Sequence, residues 1–335
     1  MKKVNSRLIE IDVIKTISII SVILLHSFSA EYLLEVGSPL HLSNAVPMFM
    51  LIAGLNSANS ILNSQHEFTF YNEYSKRIHL KIWKILKIFA VFFAVEFCIF
   101  VFLGYDPIEI LKTLPYGGIG PGSYFIPVFI QHIILFPLVF YVCLKNKDNK
   151  PLTFIFFFFI AIIIEYVCVL LSISEELYRV LIVRYIFLIF LGCYLAFHGF
   201  NKKFLLLASV FSILYIIGVN YNDLEVKYIP SYWSSQHYPA YMYTVLIFYI
   251  FKSMSNLINK TSILNCIAVV SNSTLHIFVF QMLYFLLISK FDIKPELMIG
   301  LSIVNVVICV SVGIYLYKFE CYLKNLCVSH KIDRL

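Results

Sequence analysis

The sequence predicts an all-α fold, a bundle of about ten helices that cross a membrane. Of its 335 residues, 60% are hydrophobic and only 13% are charged, and the mean hydropathy is +0.85. These values lie outside the range of ordinary soluble domains. The apolar residues also form runs of roughly 20, the length that a helix needs to cross a bilayer core of about 30 Å. Helices are expected because lipid offers backbone amides no partner and the runs lack the alternation of barrel strands.

Ten apolar runs qualify as spans, of which the seventh and eighth are the weakest. In chain order they cover residues 11–30, 44–62, 85–103, 124–144, 152–173, 178–198, 204–220, 239–258, 267–289 and 297–317. No internal repeat, proline-rich linker or soluble stretch of domain length lies between them. We therefore predict a single integral membrane domain over residues 1–335, with no appended soluble domain.

The basic residues are unevenly shared between the two faces of the predicted bundle. If the N-terminus is cytoplasmic, 19 lie on the cytoplasmic side and six on the other, with Lys15 inside the first span. The larger set is Lys2, Lys3, Arg7, Lys76, Arg77, Lys81, Lys84, Lys87, Lys145, Lys147, Lys150, Lys202, Lys203, Lys252, Lys260, Lys318, Lys324, Lys331 and Arg334, and the smaller is Lys112, Arg179, Arg184, Lys227, Lys290 and Lys294. The positive-inside rule and an even number of spans predict that both termini are cytoplasmic.

Charge and cysteine content exclude two classes of function. The net charge of +7 does not indicate nucleic-acid binding, because no soluble stretch is long enough to gather the charges into a patch. The eight cysteines include no CxxC pair and lie mostly within spans, where a thiol behaves as a small apolar group. The sequence therefore indicates neither a disulfide framework nor a metal site.

The first span carries charge where lipid-facing helices rarely do. Its segment DVIKTISIISVILLH, residues 12–26, contains Asp12, Lys15 and His26. Eleven steps of about 100° turn the helix through about three turns and 20° and raise it by about 16 Å, so Lys15 and His26 share one face. Asp12 lies near the same stripe and can pair with Lys15. Either these groups follow one reaction path, or they are an interfacial ion pair and a hydrogen-bonded core histidine.

Other spans also contain polar side chains. These are Glu96 in the third, Gln131 and His132 in the fourth, Glu165 in the fifth, Arg184 in the sixth, and His276 and Gln281 in the ninth. Ionisable groups within spans usually face a partner or a cavity inside the bundle. Glu165 and Arg184 fall at similar depth, so they can form a structural ion pair or line a cavity.

Several segments resemble the membrane acyltransferase 3 family. IDVIKTISIISVILLH followed by VPMFMLIAGL is similar to the family's first two helices, in which a basic residue precedes a histidine by eleven positions. YSKRIHLKIWKI is similar to its basic entry to helix three, and GSYFIPVFIQHIILFPLV, RYIFLIFLGCYLAF and NSTLHIFVFQ are similar to later helices. The matches follow the family's order over nearly all of the chain, which makes them more specific together than singly.

The chain departs from the family pattern at several positions. Many members have arginine where this chain has Lys15, and lysine lacks the planar fork of a guanidinium. Gln281 stands where the later motif usually ends in histidine, and a glutamine cannot carry a proton. In the basic segment that enters helix three, many members have a second arginine where this chain has Leu80. Lys81, the next residue, can substitute for that arginine.

The resemblance implies transfer of an acyl group, most often acetyl, from cytoplasmic acyl-CoA to a hydroxyl of a cell-surface polysaccharide or other envelope glycan. It implies a protein of the bacterial cytoplasmic membrane that uses acetyl-CoA or another short acyl-CoA as donor substrate, with no permanently bound cofactor. Its partners are then acyl-CoA, the glycan and the bilayer, with transfer completed by this domain or by a separate envelope protein. The expected residues are His26, Lys15 and Asp12 for catalysis, Arg77, Lys81 and Lys84 for the donor, and Glu165, Arg184 and Gln281 for the acceptor.

Two other readings stay open at this point. A transporter would use the Glu165 and Arg184 region as its substrate or proton site. A polysaccharide polymerase or flippase would also be a helical bundle, although longer external loops or more spans are then expected. The basic stripe on the third helix, from Arg77 through Lys81 and Lys84 to Lys87, can equally reflect positive-inside bias and anionic lipid.

Overall fold

A computed structural model describes residues 9–63, 70–258, 260–289 and 298–332, without the side chains of 70–77, 234, 298–299 and 327–332. Within these ranges the chain is helical and contains no strand, which confirms the predicted all-α class. The α-helices are α1 (Ile9–Ser27), α2 (Ala30–Glu35), α3 (Ala45–Leu62), α4 (Phe70–Phe102), α5 (Pro107–Lys112), α6 (Phe125–Lys145), α7 (Lys150–Leu170), α8 (Glu175–Val180), α9 (Ile186–Phe197), α10 (Lys202–Tyr221), α11 (Tyr241–Ser255), α12 (Thr261–Ile288) and α13 (Met298–Ile332).

Nine of the ten predicted apolar runs each correspond to one helix, but they are not equally able to span a membrane. In the described part of the chain, seven helices have the necessary length and composition; they are Ser38–Leu62, Ile78–Phe102, Phe125–Lys145, Lys150–Leu170, Lys202–Tyr221, Thr261–Ile288 and Gly300–Leu326. The count of ten and the cytoplasmic termini therefore remain predictions.

Three of the ten runs fall short for separate physical reasons. Helix α1 has 19 residues, but its first half carries Glu10, Asp12 and Lys15. Helix α11 has 15 residues, about 22 Å at 1.5 Å per residue, which is less than a bilayer core. The sixth run is divided into α8, a 3₁₀ turn at Ile182–Tyr185 and the 12-residue α9.

Two glycines bring α3 and α9 into backbone contact. A Cβ added at Gly54 would lie 2.4 Å from the carbonyl oxygen of Ile189, and one at Gly192 would lie 2.1 Å from that of Leu51. Real Cβ atoms do not approach oxygen this closely, so neither position accepts a side chain. Small residues allow the same close packing between helices in membranes, where packing replaces the hydrophobic effect between helices.

Helix α1 lies inside the bundle, in contact with α3, α11, α12 and α13. Helix α4 packs against α6 and α12, so the charged residues of α1 and α4 approach the same interior space. Helices α4, α7, α10 and α13 instead expose large apolar side chains, such as Val91, Ile163, Phe211 and Val307. An apolar outer surface of this kind fits a protein surrounded by lipid.

Candidate functional site

A basic cavity lies among α1, α3, α4, α6 and α12. Its volume is about 400 Å³, which falls within the range of roughly 300–1,000 Å³ typical of ligand pockets. Its polar side chains are Lys15, Asn56, Ser57, Lys81, Lys84, His132 and Thr274. Aromatic and aliphatic side chains, including Phe49, Phe125, Phe129 and Phe278, form the rest of the wall.

Three lysine side chains converge on this cavity. Lys15 is half-buried on α1, whereas Lys81 and Lys84 are exposed on α4. Like charges that line one space favour an anionic occupant, because it lowers their mutual repulsion. The structure thus brings together the predicted Lys15, Lys81 and Lys84. The side chain of Arg77 lies outside the described residues.

Lys87 is the member of the predicted basic stripe that turns away from the cavity. Its ammonium lies 5.3 Å from the centre of the Trp83 ring. Both residues line a separate, largely apolar groove between α4, α5 and α6. Lys81 and Lys84 therefore contribute to the basic cavity, whereas Lys87 does not.

His132 is a cavity residue to which the sequence analysis gave no role. Its side chain is 2% exposed, and its Nε2 lies 3.4 Å from Ser57 Oγ, which fixes one edge of the imidazole. The ring stacks on Phe129 with centroids 5.7 Å apart. The available sequence signal was a histidine within the otherwise apolar α6, but it could not show that α6 turns this face towards Lys15.

Asp12 connects α1 to α12. Its Oδ1 accepts a 2.5 Å hydrogen bond from Ser271 Oγ, and its side chain is buried. Asp12 is absent from the described lining of the cavity. The contact supports a positioning role for Asp12 more directly than the expected catalytic one, because it fixes the helix that carries Lys15.

His26 lies in a second cluster, against the loop that leads into α6. A Cβ added at Gly122 would lie 3.6 Å from His26 Nε2, 3.6 Å from Gln281 Nε2 and 3.4 Å from Phe278 Cζ. Gly122 has φ +83°, a left-handed conformation that favours glycine. Gln281 also donates to the carbonyl of Pro121 at 3.4 Å. The structure thus brings the expected His26 and Gln281 together at one backbone position.

Glu96 anchors the same loop. Its Oε1 accepts hydrogen bonds from the backbone N–H groups of Ile119 at 2.8 Å and Gly120 at 3.2 Å. The loop is rich in glycine and has few side chains of its own to fix it. Two hydrogen bonds from its backbone to the buried Glu96 carboxylate therefore hold it in place. The sequence placed Glu96 inside the third span but assigned it no role.

One aromatic side chain separates the two clusters. Phe278 lines the basic cavity and also contacts the position of Gly122 beside His26. Its ring centre lies 5.0 Å from that of Phe125, another residue of the cavity wall. The basic cavity and the His26 cluster therefore lie next to each other, on opposite sides of the Phe278 ring.

Of the two alternatives for Glu165 and Arg184, a structural ion pair or a lined cavity, the ion pair is not formed between these two described side chains. Glu165 Oε2 accepts a 2.6 Å hydrogen bond from the Tyr178 hydroxyl, and Glu165 Oε1 lies 3.2 Å from His237 Nδ1. The prediction treated residues 178–198 as one continuous span. The break between α8 and α9 instead places Tyr178 against Glu165 and directs Arg184 elsewhere, among aromatic rings.

This fold and this cavity define a class: a helical membrane protein with a lysine-lined cavity beside a buried histidine. The chain matches the acyltransferase 3 family, described as an acyltransferase domain, over residues 8–316. The protein therefore belongs to this family, as the sequence resemblance implied, and the match supports an acyltransferase role in a membrane. Comparisons with curated proteins and with solved structures returned no match.

Proposed function

We propose that the protein transfers an acyl group, most often acetyl, from cytoplasmic acyl-CoA to a hydroxyl of a cell-surface polysaccharide or another envelope glycan. The cavity that joins Lys15, Lys81 and Lys84 to His132 is the observation that carries the proposal. The protein then acts in the bacterial cytoplasmic membrane and needs no bound cofactor, since an acyl thioester is already activated. The family match favours this reaction over transport, flipping or polymerisation.

The basic cavity is the proposed donor site. CoA carries several phosphates, and charge-assisted hydrogen bonds to phosphate are among the stronger polar contacts in proteins. The exposed Lys81 and Lys84 bind these phosphates at the mouth, with Arg77 one turn earlier on the same helix. A volume of about 400 Å³ suits the narrow thioester arm, which extends inward towards Lys15 and His132.

The two histidines serve opposite ends of the transfer in this proposal. The acceptor hydroxyl loses its proton to the neutral imidazole of His26, and its oxygen forms a bond to the acyl carbon. The carbon–sulfur bond breaks, and the sulfur leaves as the CoA thiolate beside His132. The thiolate takes a proton from solvent at the cavity mouth, and His26 returns the proton that it gained to solvent. Phe278 must move aside for the acyl carbon and the acceptor oxygen to meet.

Binding of CoA by the purified full-length protein tests the donor site. Lys81→Ala and Lys84→Ala should each weaken CoA binding by about tenfold or more, because a lost charge-assisted contact costs roughly 1.5–3 kcal/mol. Lys87→Ala is the matched control, since it removes the same charge from the same helix but faces the separate groove. Equal CoA binding by all three variants and the wild type would contradict the assignment.

Transfer itself requires a second measurement. Cells that contain the gene should incorporate labelled acetyl into their surface polysaccharide, and cells without it should lose those O-acetyl groups. Uptake of a solute by vesicles, with no change in polysaccharide acetylation, would instead support the transporter alternative. If membranes with this protein acetylate only after a soluble envelope fraction is added, a separate protein completes the transfer.

A further inference from the structure

Arg184 has an unusual environment at the end of the bundle where α9 begins. Its side chain is 1% exposed, and its guanidinium carbon lies 4.6 Å from the Tyr185 ring centre, 4.7 Å from that of Trp233 and 5.0 Å from that of Tyr124. We call these four side chains the Arg184 cage. Cation–π contacts of this kind stabilise the positive charge, but they use the faces of the rings and supply no hydrogen-bond acceptor in the guanidinium plane.

The cage contains buried donors without acceptors. Within the described residues, Nε, Nη1 and Nη2 of Arg184 and Nε1 of Trp233 have no hydrogen-bond partner. A guanidinium offers five N–H donors in a fixed plane, and buried donors of this strength are normally satisfied. Arg184 and Trp233 therefore present neighbouring N–H donors for which no described residue supplies an acceptor.

No described carboxylate neutralises Arg184. The nearest candidate in the prediction, Glu165, is bonded to Tyr178 and His237 instead. The Nε2 atom of His237 lies 2.9 Å from the carbonyl oxygen of Tyr232, which precedes Trp233 in the chain. The Glu165 network thus supports the segment that carries Trp233 while leaving the charge of Arg184 uncompensated.

The cage is continuous with the His26 cluster. Tyr124 follows Gly122 and Ser123 in the loop that contacts His26, and a second arginine, Arg179, lies over the same Tyr124 ring at 5.5 Å. Arg179 Nη2 donates to Ser123 Oγ at 3.5 Å. A group bound in the cage would therefore lie beside the loop at which the acceptor hydroxyl is proposed to react.

We propose that the Arg184 cage binds an oxyanion, a carboxylate or a phosphate, carried by the acceptor glycan. This inference rests on the proposed function, because it names the substrate class as an acidic rather than a neutral glycan. An oxyanion supplies several acceptor oxygens in one group and matches the planar guanidinium, which can donate two parallel hydrogen bonds. Trp233 belongs to the connection between α10 and α11, so an entering oxyanion would displace the Trp233 ring and not a long helix.

Thermal unfolding of the purified full-length protein tests the inference. Sodium glucuronate, sodium phosphate and the neutral sugar glucose are compared at equal concentration, with sodium chloride to match ionic strength. Glucuronate, phosphate or both should raise the melting temperature of the wild type, and glucose and chloride should not. A response to glucuronate alone identifies a sugar carboxylate, and a response to phosphate alone identifies a phosphate-bearing glycan.

Variants then assign the response to the cage. Arg184→Gln should abolish the shift, whereas Lys227→Gln, which removes one exposed charge from the same α10–α11 connection, should preserve it. If Arg184→Gln does not fold, Trp233→Phe keeps an aromatic ring but removes the indole N–H, and it should weaken anion binding several-fold.

Two outcomes would overturn the inference. One is a wild type that responds to neither anion, and the other is an equal response in wild type and Arg184→Gln; either makes Arg184 a structural cation sealed by its rings. Binding of CoA, measured on the same preparations, separates this failure from failure of the proposed function. If CoA still binds and its binding is weakened by Lys81→Ala, the acyltransferase proposal stands although the oxyanion proposal fails.

Discussion

At the scale of single residues, the two histidines differ in ways that can be tested. His26 lies beside Gly122 and Gln281, whereas His132 lies in the basic cavity beside Ser57. His26→Ala should lower glycan acylation by about 10² to 10⁴ in rate, the usual effect of losing a general base, while leaving the membrane level of the protein unchanged. Acylation is measured on extracted polysaccharide. Near wild-type acylation by a normally produced His26→Ala protein would remove His26 from catalysis.

Lys15 offers a companion test within the same helix. Because the proposed role needs a positive charge in the cavity, Lys15→Arg should retain more transfer and more CoA binding than Lys15→Ala. The measurement is CoA affinity together with acylation rate. Equal loss in both variants would show that the shape of lysine, rather than its charge, is what the site requires.

The structure gives Glu165 a different partner, Tyr178, from the Arg184 considered in the sequence analysis. Glu165→Ala leaves the Tyr178 hydroxyl and His237 without their buried acceptor, so we expect a loss of about 1–3 kcal/mol in stability. Since the two residues share a hydrogen bond, Glu165→Ala and Tyr178→Phe should be non-additive when combined. Melting of the single and double variants in detergent measures this, and strict additivity would contradict the network.

At the scale of elements, the loop before α6 depends on one carboxylate from α4. Glu96→Ala removes the acceptor of two backbone N–H groups, those of Ile119 and Gly120, and should release the loop from the His26 cluster. Transfer should fall while CoA binding is preserved, because the basic cavity does not include Glu96. Both activities are measured on one preparation, and a parallel loss of the two would indicate general unfolding instead.

The sequence predicted the elements better than their contacts. Nine of the ten apolar runs each correspond to one helix, because hydrophobic length is a property of the chain alone. The break inside residues 178–198 was missed because the 3₁₀ turn at Ile182–Tyr185 contains no glycine or proline that would mark the end of a helix. His132 was missed as a site residue for a related reason. The rotation of α6 about its axis is set by packing against α4 and α9, which one sequence does not record.

At the scale of the whole molecule, the uneven distribution of basic residues predicts the orientation in the membrane. A single cysteine at position 147 should resist an impermeant thiol reagent in intact cells, because the charge asymmetry places the α6–α7 connection inside. A cysteine at position 227, in the α10–α11 connection, should label readily. Native cysteines that are exposed, such as Cys98 and Cys266, are first replaced. The reverse labelling pattern would invert the topology.

The backbone contact between α3 and α9 has a consequence for how the protein can move during turnover. At Gly54 and Gly192 the two helices meet through backbone atoms, so no side-chain rotamer can adjust at these contacts. Sliding one helix by one residue would bring a Cβ against a carbonyl oxygen. The pair should therefore behave as a stationary frame, and admission of the donor must depend on displacement of α4 or α12 on the other side of the cavity. Hydrogen exchange should accordingly be slowest in α3 and α9, and added CoA should protect α4 while leaving exchange in that frame unchanged.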